Sequence, residues 1–223
     1  CMIAVLARRL ARHRHVAVGA ASPVPAAAAL LAAELAGGSL TVSILGAERH
    51  NPFTDGGREL FDCAAQGRLD AFFLSGVQID ATGAVNLLGI VTAGRLEKRL
   101  LGSFGAPYLA SLVPDLMLFR TDHSPRTLVE RVDFVTAPGR EGRLLVTDRA
   151  VFVVQDGRLA LLSRHPGETA ASVAAATGFA FASLGDGETA GPDAAMTRLL
   201  DGTVTAAMAE IYPAFVRLLN RPA

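Results

Sequence analysis

Apolar and polar positions alternate along the chain in blocks that predict an orderly series of elements. Val16 to Ala20 is a short apolar run closed at Gly19, and from Pro23 the chain is rich in alanine and leucine until Gly37-Gly38 stops it. That pattern predicts strand, turn and helix. Ser39 to Leu45 (SLTVSIL) is a second strand, followed by a loop from Gly46 to Gly57 in which Asn51-Pro52 and Asp55-Gly56-Gly57 are turn signals. A helix is expected over Arg58 to Gln66, a buried strand over Asp70 to Leu74 (DAFFL), a turn at Asp80-Ala81-Thr82-Gly83 and a further strand over Val85 to Val91. Strands alternating with helices predict a mostly parallel sheet covered on both faces.

The second half adds a different texture. Gly102 to Gly105 is a glycine turn before a helix over Ala106 to Val113, and Asp115 to Phe119 and Arg131 to Val135 are strand candidates. Leu145-Val146-Thr147, Val151 to Val154 and Leu159 to Leu162, with Asp156-Gly157 as a hairpin signal, predict an antiparallel meander. Thr169 to Thr177, Ala194 to Leu200 and Thr203 to Leu219 are helical, and Gly185 to Gly191 is the expected mobile loop. No repeat or low-complexity linker divides residues 1–223. The expected fold is therefore a single α/β domain, an open mostly parallel sheet with flanking helices and an antiparallel meander insertion.

Composition narrows the function. A chain of 223 residues buries roughly 70 to 75% of its unfolded surface, so it needs no disulfide or metal staple. With 21 basic and 21 acidic side chains there is no basic surplus to neutralise phosphates, which argues against nucleic acid or an anionic membrane as partner. Lys98 is the sole lysine, which leaves few candidates for a Schiff base. Cys1 and Cys63 form no CxxC or zinc pattern and fit a reducing cytoplasm, Cys63 as a small buried hydrophobe. The apolar stretch from Val16 to Leu35 is interrupted by Gly19, Pro23, Pro25 and Glu34, so neither a membrane span nor a secretion signal is expected. A chain opening on Cys1 is expected to continue upstream. GxSxG, GxxxxGK[ST], GxGxxG and HExxH are all absent. His13 and His15 flank Arg14 in a segment that reads as a solvated helix end. His50, His123 and His165 are scattered and predict no metal site, and Asp122-His123 reads as a structural hydrogen bond more readily than as an acid and base pair.

Three stretches carry a more specific signal: Ser75 to Asn86 (SGVQIDATGAVN), Gly102 to Ala106 (GSFGA), and Val132 to Gly139 (VDFVTAPG) with LVTD at Leu145 to Asp148. In this order they resemble the β subunit, or equivalent C-terminal half, of family I coenzyme A transferases, that of glutaconate CoA-transferase above all. The resemblance runs from about Val16 to about Ala182. It implies a CoA-transferase/NagB-like fold, an α subunit of similar architecture as partner, an active site between the two, acyl-CoA as substrate and no resident cofactor. A homodimer of the isolated chain stays open. Gln78, Asp80, Gly83 and Asn86 match the family's GxQxDxxGxxN pattern and read as a structural turn beside the site. Gly102, Ser103, Phe104, Gly105 and Ala106 read as an oxyanion or CoA-binding turn, because glycine amides can approach a thioester carbonyl with no Cβ in the way. Phe104 stands where the family usually has a small residue.

The informative departure lies at Ser43. The resemblance places the family's catalytic glutamate there, and a serine hydroxyl cannot stand in for a carboxylate that must be both nucleophile and leaving group. Glu48, in the loop AERHN, is one alternative source of acid, beside its plainer reading as a solvated loop residue. The partner subunit is another, as in the similar steroid ring-cleaving hydrolases, whose β subunit also lacks the glutamate. Three functions follow: a β-type subunit moving CoA between carboxylic acids, a subunit of a hydrolase that opens a ring-containing CoA thioester, and a non-catalytic stabilising subunit.

Overall fold

The computed structural model describes residues 1–219, and these gather into two compact units. One is built from Cys1–Phe73 with the chain from Gly191 onward, the other from Leu74–Ala190. In the first, α1 (Met2–Leu10) leads into β1 (His15–Val18), α2 (Pro23–Leu35), β2 (Thr41–Ile44), α3 (Gly56–Ala65) and β3 (Ala71–Leu74). The three strands lie parallel in the order β3-β1-β2, with Ala17 opposite Ser43 and Phe72. All four positions of β3 and three of the four in β1 are buried, which is why these segments read as unbroken apolar runs.

Helix α2 is apolar all round and buried from Val24 to Ala32, as expected of a helix with neighbours on every side. The unanticipated α1 is one of them. Its Ala4, Leu6, Ala7 and Leu10 form the covered stripe, and Arg8 and Arg9 in its last turn suit the negative end of the helix dipole. Met2 to Leu10 is short and heavily basic at its end, and that masked its periodicity. Because α1 stops at Leu10, His15 is not at a solvated helix end but is the first residue of β1.

The second unit runs through β4 (Gln78–Asp80), β5 (Val85–Asn86), β6 (Gly89–Thr92), β7 (Arg95–Arg99), α4 (Ala106–Leu112), β8 (Asp115–Arg120), β9 (Leu128–Val129), β10 (Leu144–Thr147), β11 (Ala150–Gln155), β12 (Arg158–Arg164) and α5 (Ala170–Ala176). β8 and β10 pair in parallel, and β10-β11-β12 is the antiparallel meander expected from the sequence, turning at Asp156-Gly157. β5-β4-β9 and β6-β7 form two smaller sheets. The fold is thus α/β with helices on parallel strands and an appended meander.

Two expected strands are corrected. Val85 to Val91 is not continuous: the Asn86 side chain accepts the Leu88 and Gly89 amides and donates to the Gly89 carbonyl, turning the chain between β5 and β6. Arg131 to Val135 is not a strand, because the Val132 amide donates to Asp80 and the Asp133 amide to Gln78 instead of to a ladder. The loop expected to be mobile is stitched along β12. Arg164 N–H reaches the Gly187 carbonyl, Thr189 N–H reaches the Arg164 carbonyl, and the Ser163 and Thr189 hydroxyls meet at 2.8 Å.

The C-terminal helices belong to the first unit. α6 (Ala194–Leu199) passes through a wide π turn at Leu200–Val204 into α7 (Thr205–Ile211), and Pro213, having no N–H to continue the ladder, separates α7 from α8 (Pro213–Leu219). Among the described residues no helix is long and apolar enough to cross a membrane.

Two histidines are part of the second unit's core. His123 lies between the Thr147 and Thr177 hydroxyls at 2.8 and 2.9 Å, and a neutral imidazole suits both, since a hydroxyl can give or take a proton. Burial, with Arg149 nearby, pulls the His123 pKa down to about 4, and burial likewise lowers that of His165, whose Nε2 donates to the Thr147 carbonyl. The unfolded chain binds protons at these sites below its ordinary value of 6.5 while the folded chain does not. Stability is therefore intact above pH 6.5 and falls as the pH drops towards 4. His123 accounts for up to about 3 kcal/mol of that loss. Urea midpoints measured from pH 7 to 4 should show this decline, and His123→Gln should flatten it. Packing offers a second check. A Cβ on Gly139 would lie 1.8 Å from the Thr82 carbonyl oxygen, whereas nothing lies within 4 Å of one on Gly187. Gly139→Ala should cost about 2 to 3 kcal/mol, lowering Tm by roughly 5 to 10 °C, and Gly187→Ala should leave the thermal melt unchanged.

Candidate functional site

The glycine turn of the second unit projects into solvent. Gly102 and Gly105 have φ of 105° and 71°, a region open to glycine, and Phe104 between them is held at 40° and is 71% exposed. The Ala106 amide closes the turn on the Ser103 carbonyl at 2.8 Å, and α4 starts there. A cleft of about 270 Å³ opens beside it, lined by Leu88, Leu96, Arg99, Leu101, Gly102 and Phe134. Leu96 lies on β7, every residue of which is exposed. The turn expected to bind a thioester therefore faces an accessible, largely apolar hollow with one guanidinium at its rim.

Behind the ribbon that carries this cleft, Gln78, Asp80 and Asn86 are buried and spend their polar atoms on one another and on the backbone. The Gln78 carbonyl oxygen accepts from Asn86 Nδ2 at 2.7 Å and from the Asp133 amide, while Gln78 Nε2 donates to Asp133 Oδ2. Asp80 Oδ1 accepts from the Thr82 amide and hydroxyl and the Ala84 amide, fixing the turn in which Gly83 sits at φ 77°. Side chains engaged in this way hold the shape of the turn. Asp133, which sequence reasoning passed over as part of a strand, ties the set to the cleft: its Oδ2 also accepts the Val91 amide of β6.

In the first unit, Ser43 is fully buried near the end of β2, and His15 Nε2 lies 2.8 Å from its Oγ. His15 Nδ1 lies 2.9 Å from the Arg68 carbonyl oxygen. A carbonyl only accepts, so the proton sits on Nδ1 and Nε2 is left as the acceptor of the Ser43 hydroxyl proton. Asp70 fixes the chain on either side of this point by accepting the amides of Arg14 and His15 at 2.7 and 3.0 Å. Burial alone would raise its pKa, but these bonds and the Arg14 guanidinium outweigh it and hold the carboxyl below its usual range. Phe53 stacks over the imidazole with centroids 6.5 Å apart. Cys63 Sγ lies 3.8 Å from Nδ1, and burial pushes its thiol up, so it stays protonated at neutral pH. Glu48 is exposed in the loop after β2.

His15 is the residue that sequence reasoning missed. Alternation was the available signal: His15 and Ala17 share one face of β1, Thr41 and Ser43 share the same face of β2, and parallel pairing sets them diagonally. No group of three or more His, Cys, Asp or Glu side chains able to hold a metal occurs among the described residues.

No family model matches the chain. It is 28% identical over 131 residues to a 3-oxoadipate CoA-transferase subunit of Pseudomonas knackmussii, an alignment covering 51% of this chain and 50% of that protein. The chain thus spans about half the length of this curated relative. The fold matches the solved decarboxylase AibA/AibB with a TM-score of 0.81 at 27% identity, covering 98% of this chain and 96% of the other. It also matches glutaconate coenzyme A-transferase from Acidaminococcus fermentans, with a TM-score of 0.78 at 20% identity over 94% and 95% of the two chains. For Rhodococcus jostii RHA1 IpdAB the TM-score is 0.76 at 24% identity over 90% and 92%. Those last two likenesses concern the fold, and the first two add sequence to it. Together they make the chain similar in fold, and in part in sequence, to β-type subunits of coenzyme A transferases and of related heteromers.

Proposed function

We propose that the chain is the β-type subunit of a heteromeric enzyme that acts on acyl-CoA thioesters, paired with an α-type subunit that supplies the carboxylate for CoA transfer between acids. The observation that carries this reading is the exposed Gly102–Ala106 turn opening on a cleft at Gly102, because a glycine there lets a thioester carbonyl approach the backbone with no Cβ in the way. Arg99 at the rim suits the phosphates of CoA, and the apolar lining suits its pantetheine arm and an acyl chain. The substrate brings the CoA, so no resident cofactor is needed. Free thiols at Cys1 and Cys63 fit a cytoplasmic enzyme.

Ser43 favours a second reading within the same substrate class. A subunit with no carboxylate at that position suits carbon–carbon bond cleavage on a CoA thioester, either decarboxylation, as in the name of the AibA/AibB neighbours, or ring opening, with the partner's acid handling the proton.

Co-expression with an α-type subunit should give a stable complex whose Tm rises on adding acyl-CoA. In a transferase, borohydride after acyl-CoA addition should modify a glutamate of the α-type subunit. The lyase or hydrolase reading predicts product with no modified glutamate. Gly102→Val, which puts a branched side chain at the turn, should lower turnover by about 100-fold in either case. Full turnover in that variant would exclude the turn from the chemistry and leave this chain a stabilising subunit.

A further inference from the structure

We propose that Ser43 and His15 are a nucleophile and base that give this chain a thioester-hydrolysing activity of its own, through a seryl ester. The proposal rests on acyl-CoA being the substrate class and adds a covalent site that needs no carboxylate. The arrangement has the three members such chemistry requires: a hydroxyl, a base within 2.8 Å, and a third group that orients the base. The orienting group is the Arg68 carbonyl, which keeps the proton on Nδ1 and turns the Nε2 lone pair to Ser43 Oγ. The parallel register of β1 and β2 and the two amide bonds to Asp70 fix the base from behind. Ser43 is covered while His15 is part exposed, so a thioester would reach the pair past His15, whose ring stacks against Phe53.

The chemistry balances without another reagent. Ser43 Oγ attacks the thioester carbonyl as Nε2 takes its proton, the carbon–sulfur bond breaks, and the thiolate leaves as CoA with that proton. Water then attacks the seryl ester, His15 again serving as base, and releases the carboxylic acid and the Ser43 hydroxyl.

The test uses the chain alone and in complex with its α-type subunit, with acetyl-CoA and glutaryl-CoA as probes, acid quenching, intact mass and peptide mapping. Binding of each probe is measured first by calorimetry. An acyl group on Ser43 that Ser43→Ala removes, that His15→Gln slows by about 100-fold or more, and that Phe53→Ala accelerates would support the proposal. Ser43→Cys keeps a nucleophile of similar size, and its acyl group should be released by neutral hydroxylamine. Thermal melts confirm that each variant is folded. Bound probe with no label, label on another residue, or a rate unchanged in His15→Gln would overturn the seryl route and leave the acyl-CoA reading standing. Failure of every acyl-CoA to bind either form would overturn both.

Discussion

The register of β1 against β2 is the constraint on which the meeting of Ser43 and His15 depends. Parallel strands fix which side chains share a face, and a one-residue slip would send Ser43 to the opposite face from His15. The apolar face opposite that pair forbids the slip, since Val16, Val18 and Ile44 would lose their cover. Burial thus holds a polar pair in place. The pair in turn leaves no unmet donor of its own, because Ser43 gives its proton to the imidazole and the imidazole gives its own to Arg68.

The second unit solves the matching problem with side chains in place of a ladder. β4 and β5 are too short to set a register by themselves, and the amides of Gln78 and Asn86 interlock across them. Asp133 extends the interlock to β6, and with it to the ribbon that leads to the glycine turn. Each buried bond is worth only about 1 kcal/mol net. Leaving one partner unmet costs more, so the set behaves as a unit.

These two devices explain what the sequence disclosed and what it hid. Long apolar runs such as DAFFL and the alanine-rich α2 announced themselves because burial on all sides writes a continuous signal. Asp156-Gly157 announced the meander through turn chemistry. The strand expected over Arg131 to Val135 has the right composition, but its amides are claimed by Asp80 and Gln78 some 50 positions earlier, a competition that local pattern cannot reveal. The turn at Gly102 was legible from its glycines, and its exposure beside a cleft was not. Ser43 stood out only against the family resemblance. His15 lay 28 positions away and looked like one more cation in an arginine-rich stretch, so the imidazole beside Ser43 went unseen.

The arginine bias of the chain has one practical consequence. Lys98 is the sole lysine and sits on β7, an exposed strand whose neighbours Leu96 and Arg99 border the cleft. Among the side chains of residues 1–223, an amine-directed fluorophore or photo-crosslinker therefore attaches at a single address, on the strand that contributes Leu96 and Arg99 to the hollow. The molecule carries a built-in reporter for whatever docks against that ribbon.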